Sequence, residues 1–541
     1  MTSLGDSIKA TVRHYSEVET TQQKKVPITA ARLLAQADRV EELYERLRKP
    51  GAQIILGDPV GTGKTAVALI AARELLRRTK VSHLLVSTPN DSVSCLWAER
   101  AAIVFGIGPQ IIRSHNRVAR QDAAMILSRR AKGRPRFPKD LDRDELLVIV
   151  DEAHRGLQNE GNASYRSLEA MARGARVLLV TATPYQLAVP GLESMLSIGH
   201  SLELKALAEY AASLHTVARL ERSRRRDDSI TRERMDEAVE HARSKHERAQ
   251  PELERFLLSP FDREKFGVPS PPHLKASNVI STPKWRTAYN VARIVPEIVD
   301  AGKGDMFQRR LVSSSEAFWG GTAGRKLEED ANALGIAPLV DELKSRLGLL
   351  DQHPKIRATA DWVTSQIQNS NRHVLVFAHF HDTRDALAKV LTKRLGSGRV
   401  AAPKNVGDLV KTGDAGTSLQ HLFRQMTSEP FVLIVTDAFS ESIDLDGGHP
   451  CLVHHDLVWN PVRLEQRWGR VVRMSSGFKA VAQQDVFSPV LDTEVDERLF
   501  ATARARASIG KLLLPLGIDD SDDDLLSLLE PHLDAVAGTD G

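Results

Sequence analysis

The chain has 541 residues, with 74 basic and 70 acidic side chains and a formal net charge of +4. So even a balance carries no polyanion signal of its own, and nucleic-acid contact would have to come from local basic surfaces. The apolar runs are far too short to span a bilayer, no signal pattern opens at Met1-Thr2-Ser3-Leu4-Gly5-Asp6, and the distant pair Cys95 and Cys451 argues against a disulfide framework or a structural zinc.

Length suggests about three to four domains. Residues 1–28 are polar and without clear periodicity, and are expected to form an arm or loose cap. From Thr29 to Arg48, Leu33, Leu34, Val40, Leu43 and Leu47 recur at helical spacing. Short apolar runs of parallel-strand length follow at Gln53–Leu56, His83–Val86, Leu146–Val150 and Val177–Val180, alternating with polar or helical stretches. That alternation predicts a doubly wound α/β sheet, with ligand groups at the carboxyl ends of the strands.

The first strand leads into Gly57-Asp58-Pro59-Val60-Gly61-Thr62-Gly63-Lys64-Thr65 and then a helix expected over 66–78. Strand, Gly-rich turn, Gly-Lys-Thr and helix form the setting of a phosphate-binding loop. Its backbone N–H groups and helix N-terminus suit phosphate oxygens, with Lys64 reaching the outer phosphates and the Thr65 hydroxyl on Mg²⁺. Asp58 stands where the usual pattern has its first glycine. The other strands end in Ser87-Thr88-Pro89, Asp151-Glu152-Ala153-His154-Arg155 and Thr181-Ala182-Thr183-Pro184. Four polar tips in succession gather one site along a sheet edge.

Residues 129–136 form a basic loop, and Arg222, Arg224, Arg225 and Arg226 a second cluster; each is either a solvated face or a nucleic-acid contact. From 201 to 350 strand-like runs give way to charged helical sequence broken at Pro269-Ser270-Pro271-Pro272, read as a mainly helical insertion or linker. A second α/β unit starts near Pro354, with strands expected at Val374–Phe377, Phe431–Val435 and Cys451–His454. The last of these leads to Trp459-Asn460-Pro461 and Gln466-x-x-Gly469-Arg470-x-x-Arg473. The expected division is an arm (1–28), a first α/β domain (29–200), the insertion (201–350), a second α/β domain (351–490) and a helical acidic tail (491–541).

With these motifs in hand, the sequence resembles the superfamily 2 helicase-type (DEAH-box) motors, whose two RecA-like domains share ATP across a cleft. Within that superfamily it is most similar to the Swi/Snf-type and bacterial RapA-like DNA translocases. The narrower match rests on Asp58-x-x-Gly61-x-Gly63-Lys64-Thr65, Trp97-x-Glu99, Asp151-Glu152-Ala153-His154-Arg155, Ser440-Glu441 and the Trp459 to Arg473 run. Ser442 and Asp444 depart from the glycine and asparagine that relatives usually carry there.

The resemblance implies an ATP hydrolase that moves on nucleic acid, DNA rather than RNA, using ATP and Mg²⁺. Asp58, Gly61, Thr62, Gly63, Lys64 and Thr65 would hold nucleotide, and Thr65 and Asp151 the metal. Glu152 would act on the attacking water, while His154, Thr181 and Thr183 couple nucleotide state to domain closure. Arg470 and Arg473, taken as one helical turn apart on one face, would serve as arginine fingers, and Gln466 would touch nucleotide or water. Gln36 is either an adenine contact or an ordinary surface glutamine. Thr88, Pro89, His379 and Thr436 would meet the nucleic-acid backbone, His379 being equally readable as a packed strand-end histidine. The leading expectation is translocation on duplex DNA. The alternatives are a strand-separating DNA or RNA helicase, and an ATP-gated DNA-binding subunit controlling a partner nuclease in a defence or repair complex. No membrane partner is expected, and the compartment is expected to be cytoplasmic.

Overall fold

The computed structural model describes residues 3–23, 28–89, 91–106, 123–128, 142–153, 157, 163–181, 194–199, 205–224, 232–259, 261–269, 275–299, 304–347, 353–370, 372–405, 408–409, 418–424, 429–437, 439, 445, 450–458, 461–472 and 485–500. The chain forms two compact units that part between Pro269 and Ser270, the first taking the described residues up to 269 and the second all those beyond.

In the first unit, β1 (Gln53–Leu56), β2 (His83–Thr88), β3 (Ala123–Ser128), β4 (Leu146–Asp151) and β5 (Arg176–Val180) form a sheet of order β1-β5-β4-β2-β3. Every pairing in it is parallel. Such a sheet is covered on both faces, so its strands read as continuous apolar runs. Alternate residues divide accordingly. Ile54, Leu56, Leu84, Val86, Ile149, Leu178 and Val180 pack with helices α1 (Leu4–Gln23), α2 (Ala30–Leu47), α3 (Lys64–Arg78) and α4 (Asp91–Phe105). Ile55, Leu85, Val148, Val150, Val177 and Leu179 face helices over 163–172, 205–224 and 232–254.

Three expectations change here. The arm expected over 1–28 is the 20-residue helix α1. Ile8, Val12 and Tyr15, spaced by four and three, are buried against the first domain; the stripe is narrow in a polar sequence and easily missed. β3 went unseen because Ala-Ala-Met-Ile-Leu-Ser is built of helix formers, and its strand form comes from pairing with β2. The stretch 201–350 is not one insertion. Tyr210, Val217, Ala242 and Ala249 belong to the first unit's core, and Phe256 and Leu257 cap the outer edge of β1 through the Ile55 N–H to Phe256 O bond of 2.7 Å.

The second unit carries β7 (Val374–Ala378), β8 (Val400–Ala401), β9 (Val432–Thr436), β10 (Cys451–His454) and β11 (Val486–Phe487) in the order β11-β10-β7-β9-β8, again all parallel. Helices over 354–369 and 381–395 cover one face. Beside this sheet stands a helical cluster over 283–347, whose core of Trp285, Phe307, Phe318 and Leu327 also takes Leu491 and Val495. It is tied down by a short parallel pair of β6 (Ser277–Val279) and β12 (Pro489–Leu491). β6 lies in the stretch read as strand-free; three residues are too few to give a period. Among the described residues no helix is long and apolar enough to cross a membrane. The basic loop 129–136, Arg225 and Arg226, the acidic run 519–524 and the tail from 501 lie outside the described residues.

Candidate active site

The phosphate loop leaves the carboxyl end of β1. Gly61 and Gly63 take φ values of 84° and 87°, the left-handed region that side chains disfavour. Gly63 is the N-cap of α3 and supplies no side-chain cap. The first-turn N–H groups of α3 therefore border the loop, the arrangement that suits a phosphate. Lys64 Nζ donates to the carbonyls of Asp58 at 2.7 Å and Pro59 at 2.9 Å, and Thr62 Oγ1 to Pro59 O at 2.8 Å. The loop is thus held by bonds that phosphate oxygens can replace.

Asp58 is 2% exposed, and a carboxylate so buried needs a cation. Arg39 of α2 provides it, with Nε 3.2 Å from both carboxylate oxygens. The same guanidinium donates to Glu42 at 2.8 Å and to Ser259 O at 2.8 Å, tying loop, helix and the 255–266 segment together. Burial works to lower the Arg39 pKa, but Asp58 and Glu42 outweigh it and raise it. Arg39 was missed in the sequence. The signal was available: an aspartate in a glycine position wants a cation, and Arg39 lies one turn beyond Gln36. Gln36 itself is 2% exposed, which removes its reading as a surface glutamine.

Asp151 ends β4 opposite Val180 of β5. Its Oδ2 accepts a 2.8 Å hydrogen bond from the indole Nε1 of Trp97, a 1% exposed residue of α4. Through this bond the tryptophan of the Trp-x-Glu element fixes the rotamer of the aspartate. Glu152 has φ 46°, the one positive value for a non-glycine among the described residues. Such strain costs about 1–3 kcal/mol and collects at functional positions. Thr181, 1% exposed, donates its N–H to Leu56 O at 3.2 Å. The adjacency β1-β5-β4 thus brings the loop root, Thr181 and Asp151-Glu152 to one sheet edge. His154 and Thr183 lie outside the described residues.

Thr88 differs from expectation. It is fully buried, and its hydroxyl is 2.5 Å from that of Ser94, because β2 runs on through Thr88 in register with Ser128. Half-buried Pro89 is the more accessible of that pair.

In the second unit the strand ends gather around Asp437. Arg467 grips it through Nε at 2.8 Å, and His379 Nδ1 lies 3.0 Å away. Burial would raise the Asp437 carboxyl, but Arg467 and His379 hold it well below the ordinary range. Arg467 is fully buried, lies 5.0 Å over the Phe377 ring and donates to Asp456 O at 2.9 Å. It is a bolt across β7, β9 and β10 that motif reading passed over. The His379 N–H donates to Asp456 Oδ2 at 2.7 Å, and its ring is 45% exposed, so the packed-histidine reading fails. Thr436 is buried at the end of β9.

Gln466 is 3% exposed, and its Oε1 has no donor among the described residues. Arg470 is 7% exposed. The helix carrying Gln466 ends at Trp468, and the chain then turns through Arg470 N–H to Arg467 O and Val471 N–H to Trp468 O. Arg470 therefore lies in a turn past the end of that helix, which stops just before Gly469. Arg473, Ser440, Glu441, Ser442, Asp444, Trp459 and Asn460 lie outside the described residues.

Residues 33–186 match the family described as type III restriction enzyme, res subunit, and 355–475 match the helicase conserved C-terminal domain. An uncharacterized ATP-dependent helicase of Bacillus subtilis, YqhH, is 26% identical over 451 residues, taking in 81% of this chain and 72% of that protein. The RNA polymerase-associated protein RapA of Pectobacterium atrosepticum is 28% identical over 158 residues, 27% of this chain and only 16% of RapA. The Hef helicase domain of Pyrococcus furiosus overlays with a TM-score of 0.42 at 16% identity, covering 85% of this chain and 96% of that one. With one family match on each parallel sheet, the chain is a superfamily 2 helicase-type ATPase, an ATP hydrolase with a parallel α/β sheet in each of its two units.

Proposed function

We propose that this ATPase is a motor that translocates on duplex DNA through backbone phosphates, without needing to separate the strands. The ATP-driven part of the reading is carried by the set gathered at the ends of β1, β5 and β4, a phosphate loop locked by Arg39–Asp58 and an Asp151 fixed by Trp97. The choice of duplex DNA is carried by the resemblance of the sequence motifs to DNA translocases. Gly61, Thr62, Gly63, Lys64 and the α3 N-terminus suit the phosphates of ATP. Thr65 and Asp151 would hold Mg²⁺, which when bound neutralises charge on the outer phosphates. Glu152, with its backbone already turned, orients and deprotonates the attacking water. Gln466 has a buried acceptor to offer that water or the nucleotide. Arg470 and Arg473 supply positive charge to the transferring phosphoryl. Thr181, Thr183 and His154 report nucleotide state to the chain beyond β4 and β5. Pro89 and His379 are the positions offered to backbone phosphates, contacts that position a motor without reading sequence, while Thr436, like Thr88, is buried.

A second reading, an ATP-gated subunit serving a partner nuclease, is favoured by the restriction-enzyme description of the family matched over 33–186. Similarity to RapA raises RNA polymerase as another protein partner. The test is triplex displacement. ATP-dependent release of a third strand from a blunt duplex, without unwinding of a forked duplex, supports translocation. Unwinding without displacement would favour the strand-separating helicase, and neither activity would favour the gated subunit.

A further inference from the structure

Away from the strand ends, the second unit has a cavity of about 510 Å³ between the N-terminus of the 283–292 helix, the end of the 337–347 helix and the helices over 354–369 and 381–395. Among the described residues its wall carries Lys284, Arg346, Arg357 and Arg394 and no acidic side chain. Carboxylates nearby offset part of this charge: Glu342 pairs with Arg346, while Asp361 pairs with Arg394 at 2.6 Å and sits 3.9 Å from Arg357. Among the described residues, four cations against two anions leave a surplus of two. Thr282 also lines the cavity and caps the ten-residue helix over 283–292, its hydroxyl accepting from the Trp285 N–H at 3.3 Å. The positive end of that helix therefore adds to the field.

A separate observation concerns Trp285. It lines the same cavity, is 3% exposed, and its indole Nε1 has no acceptor among the described residues. A buried N–H without an acceptor is rare and costly, and around it the wall carries four cationic side chains and the hydroxyls of Thr282 and Ser345. What such a wall lacks is an anion rich in acceptors. The indole is fixed by stacking on Tyr289 at 5.3 Å and by an edge contact with His353 at 5.2 Å. It offers no open ring face on which a base could stack.

We propose that this cavity is a phosphate-binding site by which the helical cluster of the second unit grips the nucleic-acid backbone. The identity of the phosphate donor rests on the nucleic-acid-motor reading above; the anion site itself does not. Lys284 and Arg357 supply the charge, and the N-terminus of the 283–292 helix adds to it. Recognition is of phosphate alone, so it is independent of sequence.

The test uses the full chain. Binding of a fluorescent 30-base-pair duplex is followed by polarisation over a range of salt, for wild type, Lys284→Ala/Arg357→Ala and Trp285→Phe. Melting temperature without added anion serves as the folding control. The expected result for the double variant is a Kd raised roughly five- to fifty-fold near 0.1 M salt, with the log Kd against log salt slope reduced by about one to two, near 0.9 for each phosphate no longer engaged. Trp285→Phe, which removes an indole N–H buried away from the cavity, is expected to leave binding within about twofold of wild type and serves as a packing control. A double variant with wild-type affinity and slope overturns the proposal. If wild type binds no nucleic acid, the motor reading fails, and the stabilisation conferred by sodium pyrophosphate decides the anion site. A melting shift smaller in Lys284→Ala/Arg357→Ala than in wild type would assign the cavity to free phosphate compounds, and equal shifts would overturn it.

Discussion

The bond from Trp97 Nε1 to Asp151 Oδ2, 2.8 Å long and inside the fold, makes a prediction about metal use. In Trp97→Phe the ring still fills most of the α4 pocket, but the donor is gone and Asp151 can leave the rotamer that suits the metal. A hydrogen bond to a charged group contributes about 1.5–3 kcal/mol. At about 1.4 kcal/mol per tenfold, that corresponds to roughly a ten- to hundredfold loss, the range that partners of metal ligands generally show. The assay is steady-state ATP hydrolysis titrated with Mg²⁺ at fixed ATP and saturating nucleic acid. The half-saturating Mg²⁺ concentration is expected to rise about ten- to hundredfold, with the rate at saturating metal returning to within about threefold of wild type. A smaller residue in a core site costs stability of its own, about 0.5–3 kcal/mol, so the titration belongs well below the melting temperature. If the Mg²⁺ requirement stays within twofold while the rate is depressed at every concentration, Trp97 only packs, and its role in fixing the metal aspartate is wrong.

Two further outcomes follow from buried charge and from titration. Removing one partner of a buried ion pair costs about 3–5 kcal/mol because the other is stranded. Arg39→Ala and Asp58→Ala are each expected to destabilise the first unit by that order and to raise the KM for ATP. The double variant should lose much less than the sum, and additive losses in a urea-unfolding cycle would show that the pair is not coupled. In the second unit burial lowers His353 and His454 to about 3 and His455 to about 4, against about 6.5 in an unfolded chain. The unfolded state therefore binds more protons below that value, so stability is intact above about pH 7 and falls as pH drops toward the folded values. At pH 5.5 each histidine accounts for about 1.4 kcal/mol and the three for about 4 kcal/mol; an unfolding midpoint for this unit that is unchanged between pH 7.5 and 5.5 would refute this.

Much of the first unit was legible because a parallel sheet covered on both faces must be written as short apolar runs, and the polar residues ending them must lie on one edge. Gly61 and Gly63 could be placed in a tight loop because their backbone needs no side chain. What could not be read depends on distant partners. Arg39 gains its role only once Asp58 is known to be buried, and Arg467 only once three strand ends converge on Asp437. β3 has the composition of a helix and the position of a strand. Thr88 looked like a tip residue because its run seemed to stop at Val86, whereas the ladder continues to Ser128. Arg470 looked like a continuation of the helix before it because helices are the usual setting for such runs, but that helix closes at Trp468, just before Gly469. The acceptorless indole of Trp285 leaves no trace in a sequence at all.

The central claim is that ATP hydrolysis here is coupled to nucleic acid. Its most direct test is steady-state ATPase activity without nucleic acid and with duplex DNA, single-stranded DNA or RNA, at two salt concentrations, with Glu152→Gln as the control. The account predicts strong stimulation by duplex DNA that weakens as salt rises and is absent in Glu152→Gln. A hydrolysis rate that is the same with every nucleic acid and with none would contradict it.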